Sequence, residues 1–181
     1  TVHTETNSAA LGACILTADS EIADRLEMGV FPGEQGGPHL HTIAAKAVCF
    51  KIAQSREFRR LMAQILANAA ALAEAFRKQG FKLAYGGTDS HLCLIDLRSV
   101  KTPSGYPLTG EIASRILDLC GITCNKNTIA GDENAANPSG LRFGTTWVTQ
   151  RGMGPAEMER IAEIVGKVLK NIHSFAYIGL T

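Results

Sequence analysis

The stretch Ser55 to Gly80, SREFRRLMAQILANAAALAEAFRKQG, carries the most decisive structural signal in the chain. Leu61, Ile65, Leu66, Ala69, Leu72, Ala73 and Phe76 recur at helical spacing and define one apolar face. Ser55 is a suitable N-cap, and Gly80 supplies the residue that commonly closes a helix at its C-terminus. A second helical pattern precedes it from about His41, with Ala44, Ala47, Val48, Phe50 and Ile52, and breaks near Gln54-Ser55. The alanine content of both segments predicts closely packed helices.

Working outward toward the N-terminus, Gly29 to Pro38 holds four glycines and two prolines in ten residues and is expected to be a shaped loop. Glu21 to Met28 reads as a helix capped by Asp19 or Ser20, and residues 13–17 as a short buried strand. Toward the C-terminus, Phe81 to Tyr85 and His91 to Leu97 read as two strands around the turn Gly86-Gly87-Thr88-Asp89. Residues 99–109 read as a surface loop and Glu111 to Leu119 as a helix ending at Gly121. Ile122-Thr123-Cys124 reads as a strand, 125–139 as a polar loop and Leu141 to Thr146 as a strand. Pro155 opens a last helix with Met158, Ile161, Val165, Val168 and Leu169 on its apolar face. The sum is an α/β arrangement of long helices and a small antiparallel or mixed sheet.

The chain has 181 residues, 45% of them hydrophobic and 19% charged, which suits one ordinary domain with its own core. A formal charge of +1 gives no electrostatic reason to expect nucleic acid or an anionic membrane surface. No run approaches the roughly 18 apolar residues of a membrane span. The first residues show no basic signal-peptide region, and the chain begins without Met. The five cysteines, Cys14, Cys49, Cys93, Cys120 and Cys124, do not complete a zinc set and are expected to be reduced, mostly buried thiols in a cytoplasmic protein. His39 and His41 are two apart, without a nearby acidic partner, so no metal site is expected.

Three groups of residues are candidates for chemistry. The Gln35-Gly36-Gly37-Pro38 turn exposes amides directly before a helix N-terminus, a combination suited to phosphate or carboxylate, although a plain tight turn explains it equally. Arg142, inside an apolar strand, is costly to bury unless its planar fork meets an anion. A structural salt bridge and outward exposure are the alternatives. Asn125-Lys126-Asn127 places two amides and a cation at the start of a polar loop, a pattern that solvated turns also show.

Four ordered motifs are more specific together than singly: Val30 to Pro38 (VFPGEQGGP), Gly86 to Leu92 (GGTDSHL), Cys124 to Thr128 (CNKNT) and Pro138 to Thr145 (PSGLRFGT). From about Cys14 to Leu169 the chain resembles the carboxy-terminal portion of a serine hydroxymethyltransferase. The resemblance implies a part of a fold-type I pyridoxal-phosphate enzyme, dimeric or tetrameric, that moves a one-carbon unit between serine and tetrahydrofolate. It implies that residues 1–38 are a remnant of the cofactor domain with its phosphate-facing loop, 39–80 are connecting helices and 81–181 are a small α/β domain. By the same resemblance Arg142 grips the substrate carboxylate, and Gly36 and Gly37 face the cofactor phosphate. Asn127, Lys126 and the loop residues Asn134, Ala135 and Ala136 lie near the folate, and His91 orients its turn.

One departure stands out. The family's lysine that binds the cofactor covalently sits in a Thr-Thr-x-His-Lys-Thr run, and counting back without gaps places Glu5 there. A carboxylate cannot form an imine with the cofactor aldehyde. The chain is therefore expected to be inactive alone and to supply no catalytic residue of its own. It is read as a portion of a full enzyme, with a split subunit, a non-catalytic assembly module or a threonine-aldolase-like enzyme as alternatives.

Overall fold

In the computed structural model the structure describes residues 2–3, 12–100, 102, 105 and 108–172. Two compact units divide the chain, residues 1–60 and 61–181. Each is described by itself.

The first unit opens with β1 (Val2–His3), which pairs antiparallel with β2 (Ala13–Cys14) in the register Val2↔Cys14 and His3↔Ala13. The strand expected over residues 13–17 thus ends at Cys14, and Leu16 is 77% exposed rather than buried. A ladder extends only as far as its partner, and β1 is two residues long, so the apolar run alone could not prolong it. Helix α1 (Ser20–Met28) starts where the Asp19 carboxylate accepts the Ile22 amide at 3.1 Å.

Gly29 to Glu34 form a wide turn closed by the Gln35 amide on the Val30 carbonyl at 2.8 Å, with Phe31 extended and the Phe31–Pro32 peptide cis. Gly33 is dictated here, because a Cβ would stand 2.9 Å from the Met28 carbonyl oxygen. Helix α2 (Leu40–Ala53) follows. Among the described residues of this unit Cys49 alone is buried, whereas Leu40, Ile43, Val48, Phe50 and Ile52 of the same helix are exposed.

Helix α3 (Arg56–Lys78) begins where Ser55 Oγ accepts the Phe58 amide at 3.1 Å. It ends as expected at Gly80, where φ is +85° and the Phe81 amide returns to the Phe76 carbonyl at 3.1 Å. In the second unit its buried face comprises Ile65, Ala69, Leu72, Ala73 and Phe76, but Leu66 is 48% exposed. Asn68 lies on the same face, fully buried and satisfied by bonds from its Nδ2 to Thr149 Oγ1 (2.8 Å) and the Met153 carbonyl (2.9 Å).

The sheet contains β3 (Lys82–Leu83), β4 (Leu92–Asp96), β5 (Asn125–Asn127) and β6 (Gly140–Gly144), in the order β3-β4-β6-β5 and antiparallel throughout. Helix α4 (Gly110–Leu119) precedes β5, the short helix α5 (Thr146–Gln150) follows β6, and α6 (Pro155–Lys170) closes the described fold. Ile95 of β4 and Leu141 and Phe143 of β6 enter the core with Phe76, Ile116, Leu117, Met158, Val165 and Leu169. Phe143 and Phe81 flank Phe76 at ring distances of 5.1 and 6.0 Å.

Three points differ from expectation here. The strand expected at Ile122–Cys124 lies instead at Asn125–Asn127, because the Ile122 amide is committed to the Leu117 carbonyl (2.8 Å) in closing α4. Helix α5 was not expected within its region; Thr145 anchors it, donating its hydroxyl to the Ile65 carbonyl at 2.9 Å. Cys49 and Cys93 are buried, but Cys120 is exposed and Cys14 and Cys124 are intermediate, so the thiols are less buried than expected; burial pushes Cys93 up to about 12. Of the loop expected at 99–109, residues 101, 103, 104, 106 and 107 lie outside the described residues, as does Glu5.

The segment 128–139 is pinned at its base by carboxylates. Asp132 accepts the Ile129 and Ser139 amides at 2.9 Å each, together with the Ser139 hydroxyl. Asp96, buried, receives Arg98 through Nε at 2.9 Å and Nη2 at 3.0 Å, and Arg98 Nη2 also reaches the Ala130 carbonyl at 3.2 Å. The Arg98 side-chain bonds hold the Asp96 carboxyl below its ordinary value, and the Ser139 hydroxyl does the same for Asp132.

Two outcomes are expected. Amide hydrogen exchange should be faster across α1 and α2 than across the buried face of α3 and β4, because the former have almost no buried contacts to break on opening; equal protection in both units would contradict this. Depressed carboxyl values stabilise the fold above the usual aspartate value of about 3.9 and are lost as pH falls through the lower folded-state values. Asp96→Asn should therefore flatten the acid limb of a stability–pH profile and cost about 2 kcal/mol at neutral pH, measured by denaturant unfolding.

Candidate functional site

The candidate residues fall in both units. In the first, Gly36 and Gly37 line a groove of about 1020 Å³ together with Phe31, His39, Thr42 and Lys46. The wide turn carries them to the start of α2, for which His39 is the N-cap. In contrast to Gly33, a Cβ at Gly36 or Gly37 would meet nothing within 4 Å. Packing in this chain therefore does not demand glycine there, and the bare backbone faces open space beside the positive end of a helix dipole. Amides, a helix N-terminus and the Lys46 ammonium make a donor set chemically suited to a phosphate. The His39 and His41 rings are 5.6 Å apart, and among the described residues no cluster of three or more potential metal ligands occurs.

In the second unit, the site is built on β6. Its side chains alternate: Leu141 and Phe143 are buried, and Arg142 between them is exposed on the opposite face. Outward exposure is thus the outcome for Arg142, on an interior strand of the sheet rather than at its edge. The register Asn125↔Arg142 sets the two side chains side by side, and Arg142 Nη2 donates to Asn125 Oδ1 at 3.0 Å. A guanidinium carries five N–H donors, so this bond orients the fork while leaving most of it available. Among the described residues no ion pair to Arg142 occurs.

Asn125-Lys126-Asn127 is an edge strand rather than the opening of a loop. Asn127, two residues from Asn125, belongs to the same face as Arg142 by strand alternation. Lys126 is engaged elsewhere: its ammonium bonds the Glu111 carboxylate, which Arg115 also meets. Lys126 first and Arg115 second hold the Glu111 carboxyl below its ordinary value. Asn134 folds its own segment, its Oδ1 accepting the amides of Ala136 (3.0 Å) and Asn137 (3.1 Å). Ala135 and Ala136 are exposed on that turn. Asn134 to Ala136 therefore sit on a loop anchored by Asp132, and among the described residues no hydrogen bond joins them to Arg142.

His91 contributes through its backbone, its carbonyl accepting the Thr145 amide (2.9 Å) and hydroxyl (3.1 Å). The turn before it is braced by Thr88, whose hydroxyl donates to the Leu92 carbonyl at 2.5 Å. Sequence reasoning missed the anchoring role of Asp132 and Ser139, and it named Asn125 without its role as the partner of Arg142. An aspartate seven residues before a serine carries no periodic signature, whereas the Asn125 partnership needed only the strand register to be visible.

The family model described as serine hydroxymethyltransferase matches residues 15–165. A serine hydroxymethyltransferase of Synechococcus sp. (strain JA-3-3Ab) is 47% identical over 165 residues, covering 87% of this chain and 38% of the relative. One of Bombyx mori is 43% identical over 150 residues, covering 83% of this chain and 31% of the relative. One of Natronomonas pharaonis is 44% identical over 158 residues, covering 87% and 36%. The chain spans about a third of the length of the curated relatives it matches. Among the described residues no helix is long and apolar enough to cross a membrane. With a match that runs through all four motifs and most of its length, the chain belongs to the serine hydroxymethyltransferase family.

Proposed function

We propose that this chain is the carboxy-terminal portion of a serine hydroxymethyltransferase and serves the interconversion of serine and glycine, with a one-carbon unit passing to tetrahydrofolate. The observation that carries this reading is Arg142, outward on an interior strand, oriented by Asn125 and with the rest of its donors open. That geometry suits bidentate capture of an amino-acid carboxylate. Asn127, Lys126, Asn134, Ala135 and Ala136 are assigned to the folate side. Lys126 acts there only by leaving Glu111, so its part is smaller than that of Asn127.

Pyridoxal 5'-phosphate, the family's cofactor, supplies an electron sink when bound. Gly36 and Gly37 are the residues that would hold its phosphate, through backbone amides on an uncrowded loop. Residues 1–38 belong by this reading to the cofactor domain, 39–80 to connecting helices and 81–181 to a small α/β domain. The working protein is a cytoplasmic homo-oligomer. Glu5 at the position of the family's cofactor-binding lysine makes the chain alone inactive. The same glutamate favours a second reading, a non-catalytic assembly module, which predicts that this chain binds a partner chain but neither cofactor nor folate.

The test is a chimera in which this segment replaces the matching part of the Synechococcus relative. Arg142→Ala should raise the apparent serine KM by about tenfold or more, equivalent to about 1.4 kcal/mol or above. Arg142→Lys should recover only part of that loss, since an ammonium cannot form the paired contact. A KM unchanged in Arg142→Ala would overturn the carboxylate role.

A further inference from the structure

Arg98 lies in the turn Leu97–Ser99 that follows β4, and three of its N–H groups run to the one carboxylate of Asp96. Its amide and its Nε donate to Oδ1 at 3.0 and 2.9 Å, and its Nη2 to Oδ2 at 3.0 Å. Asp96 is 2% exposed and pairs with Gly140 in the β4–β6 ladder, so the guanidinium is oriented by the sheet itself. Its outer edge meets the turn at 130–131. Nη2 reaches the Ala130 carbonyl at 3.2 Å, and Nη1 stands 3.0 Å from where a Cβ on Gly131 would be. Gly131 has φ +92°, so close approach and backbone both call for glycine there.

The segment 128–139 is fastened in two different ways. Asp132 works within it, joining Ile129 to Ser139, and so closes its shape. The outgoing end is also tied to the rest of the fold by backbone bonds, from the Leu97 amide to the Ser139 carbonyl at 2.9 Å and from the Gly110 amide to the Pro138 carbonyl at 2.7 Å. Among the described residues, the hydrogen bond that reaches 130–131 from another element is the one from Arg98. Shape and placement therefore rest on different residues. Asp132 folds the segment, and Arg98 sets how its incoming side stands relative to β4.

We propose that Arg98 is a positioning residue for the folate side of the site: it carries the geometry of β4 across to the turn at 130–131, and thereby places Asn134, Ala135 and Ala136. The bridge stands on the contacts alone. Its meaning for folate rests on the reading above that assigns those three residues to the folate side. The amino-acid side is independent of it, because Arg142 and Asn125 are set by the β5–β6 register and, among the described residues, no hydrogen bond joins them to Arg98.

The experiment has two arms. In the first, amide exchange is followed in the full chain. Arg98→Lys keeps a positive charge beside the buried Asp96, but a single ammonium cannot hold two carboxylate oxygens and a carbonyl in one plane. Exchange at Asp132, whose amide bonds the Ile129 carbonyl at 3.0 Å, should quicken about fivefold, the scale of one ordinary hydrogen bond. Ala136 and Asn137, bonded within their own turn to Asn134, should keep their rates. Gly131→Ala, which crowds Nη1 and keeps Arg98, should act in the same direction at Asp132 and guards against a folding defect peculiar to one variant. In the second arm, the chimera with the Synechococcus relative is assayed for both substrates. Arg98→Lys should raise the apparent KM for tetrahydrofolate about fivefold and leave kcat and the serine KM unchanged. Asn134→Gly, which removes the carboxamide that folds the turn, should raise the same KM and serves as the reference.

Unchanged exchange at Asp132 in both Arg98→Lys and Gly131→Ala would overturn the bridge. Equal rises in the KM for tetrahydrofolate and for serine would overturn the positioning role and leave a contact that only stabilises the fold. An unchanged KM for tetrahydrofolate in Arg98→Lys, beside a raised one in Asn134→Gly, would overturn that role as well. If Asn134→Gly also leaves this KM unchanged, the assignment of the loop to folate falls and takes the role of Arg98 with it, while faster exchange at Asp132 leaves the bridge itself standing.

Discussion

The alternation of β6 is the constraint on which the second unit depends. A strand presents successive side chains to opposite faces, so the order Leu141, Arg142, Phe143 fixes two apolar groups inward and one cation outward. A slip of one residue would bury the guanidinium and expose a leucine and a phenylalanine. Lying between β4 and β5, β6 has both of its edges paired, which leaves little freedom for such a slip. The same register sets Asn125 beside Arg142, so the packing of the core and the geometry of the candidate site are one choice.

The first unit follows a different logic. Its helices α1 and α2 are well formed, the first capped by Asp19, yet among its described residues only Cys49 is buried. Local signals such as the Asp19 cap suffice to define a helix, but helices of this length draw most of their stability from packing. The apolar residues of α2 are spread around its circumference rather than gathered in one stripe, the pattern of a helix that meets apolar neighbours on several sides. Among the described residues, the Lys46 ammonium donates to the Ala13 carbonyl at 3.3 Å and its stem lies against Gly12, tying α2 to the start of β2.

Much of the fold was legible in the sequence where a signal is local. The cap at Ser55, the stop at Gly80, the start at Pro155 and the loop at Gly29 to Pro38 each depend on residues within a turn of one another. The signals that failed were those decided at a distance. Ile122 to Cys124 has strand-forming residues, but closure of α4 consumes the first amide, and the ladder starts at polar residues because β6 lies opposite them. Asn68 interrupts an apolar stripe without harm because Thr149 and Met153, more than eighty positions away, satisfy it. Of the site, residue types and order were legible, whereas the Asn125 brace on Arg142 and the diversion of Lys126 to Glu111 required the sheet.

The exposure of Arg142 changes the physical argument for its role. Inside an apolar strand, an arginine invites the inference that a buried charge demands a counter-ion. On the open face no such demand exists, since water satisfies the guanidinium at little cost. What distinguishes Arg142 from an ordinary surface arginine is orientation without neutralisation. Asn125 accepts one N–H, which restrains the fork, and a neutral amide leaves the full positive charge in place. Arg98, by contrast, is closed on Asp96 through both Nε and Nη2. One arginine is therefore consumed in holding the fold, while the other is held ready, and only the second arrangement leaves a fork free to meet a carboxylate from solution.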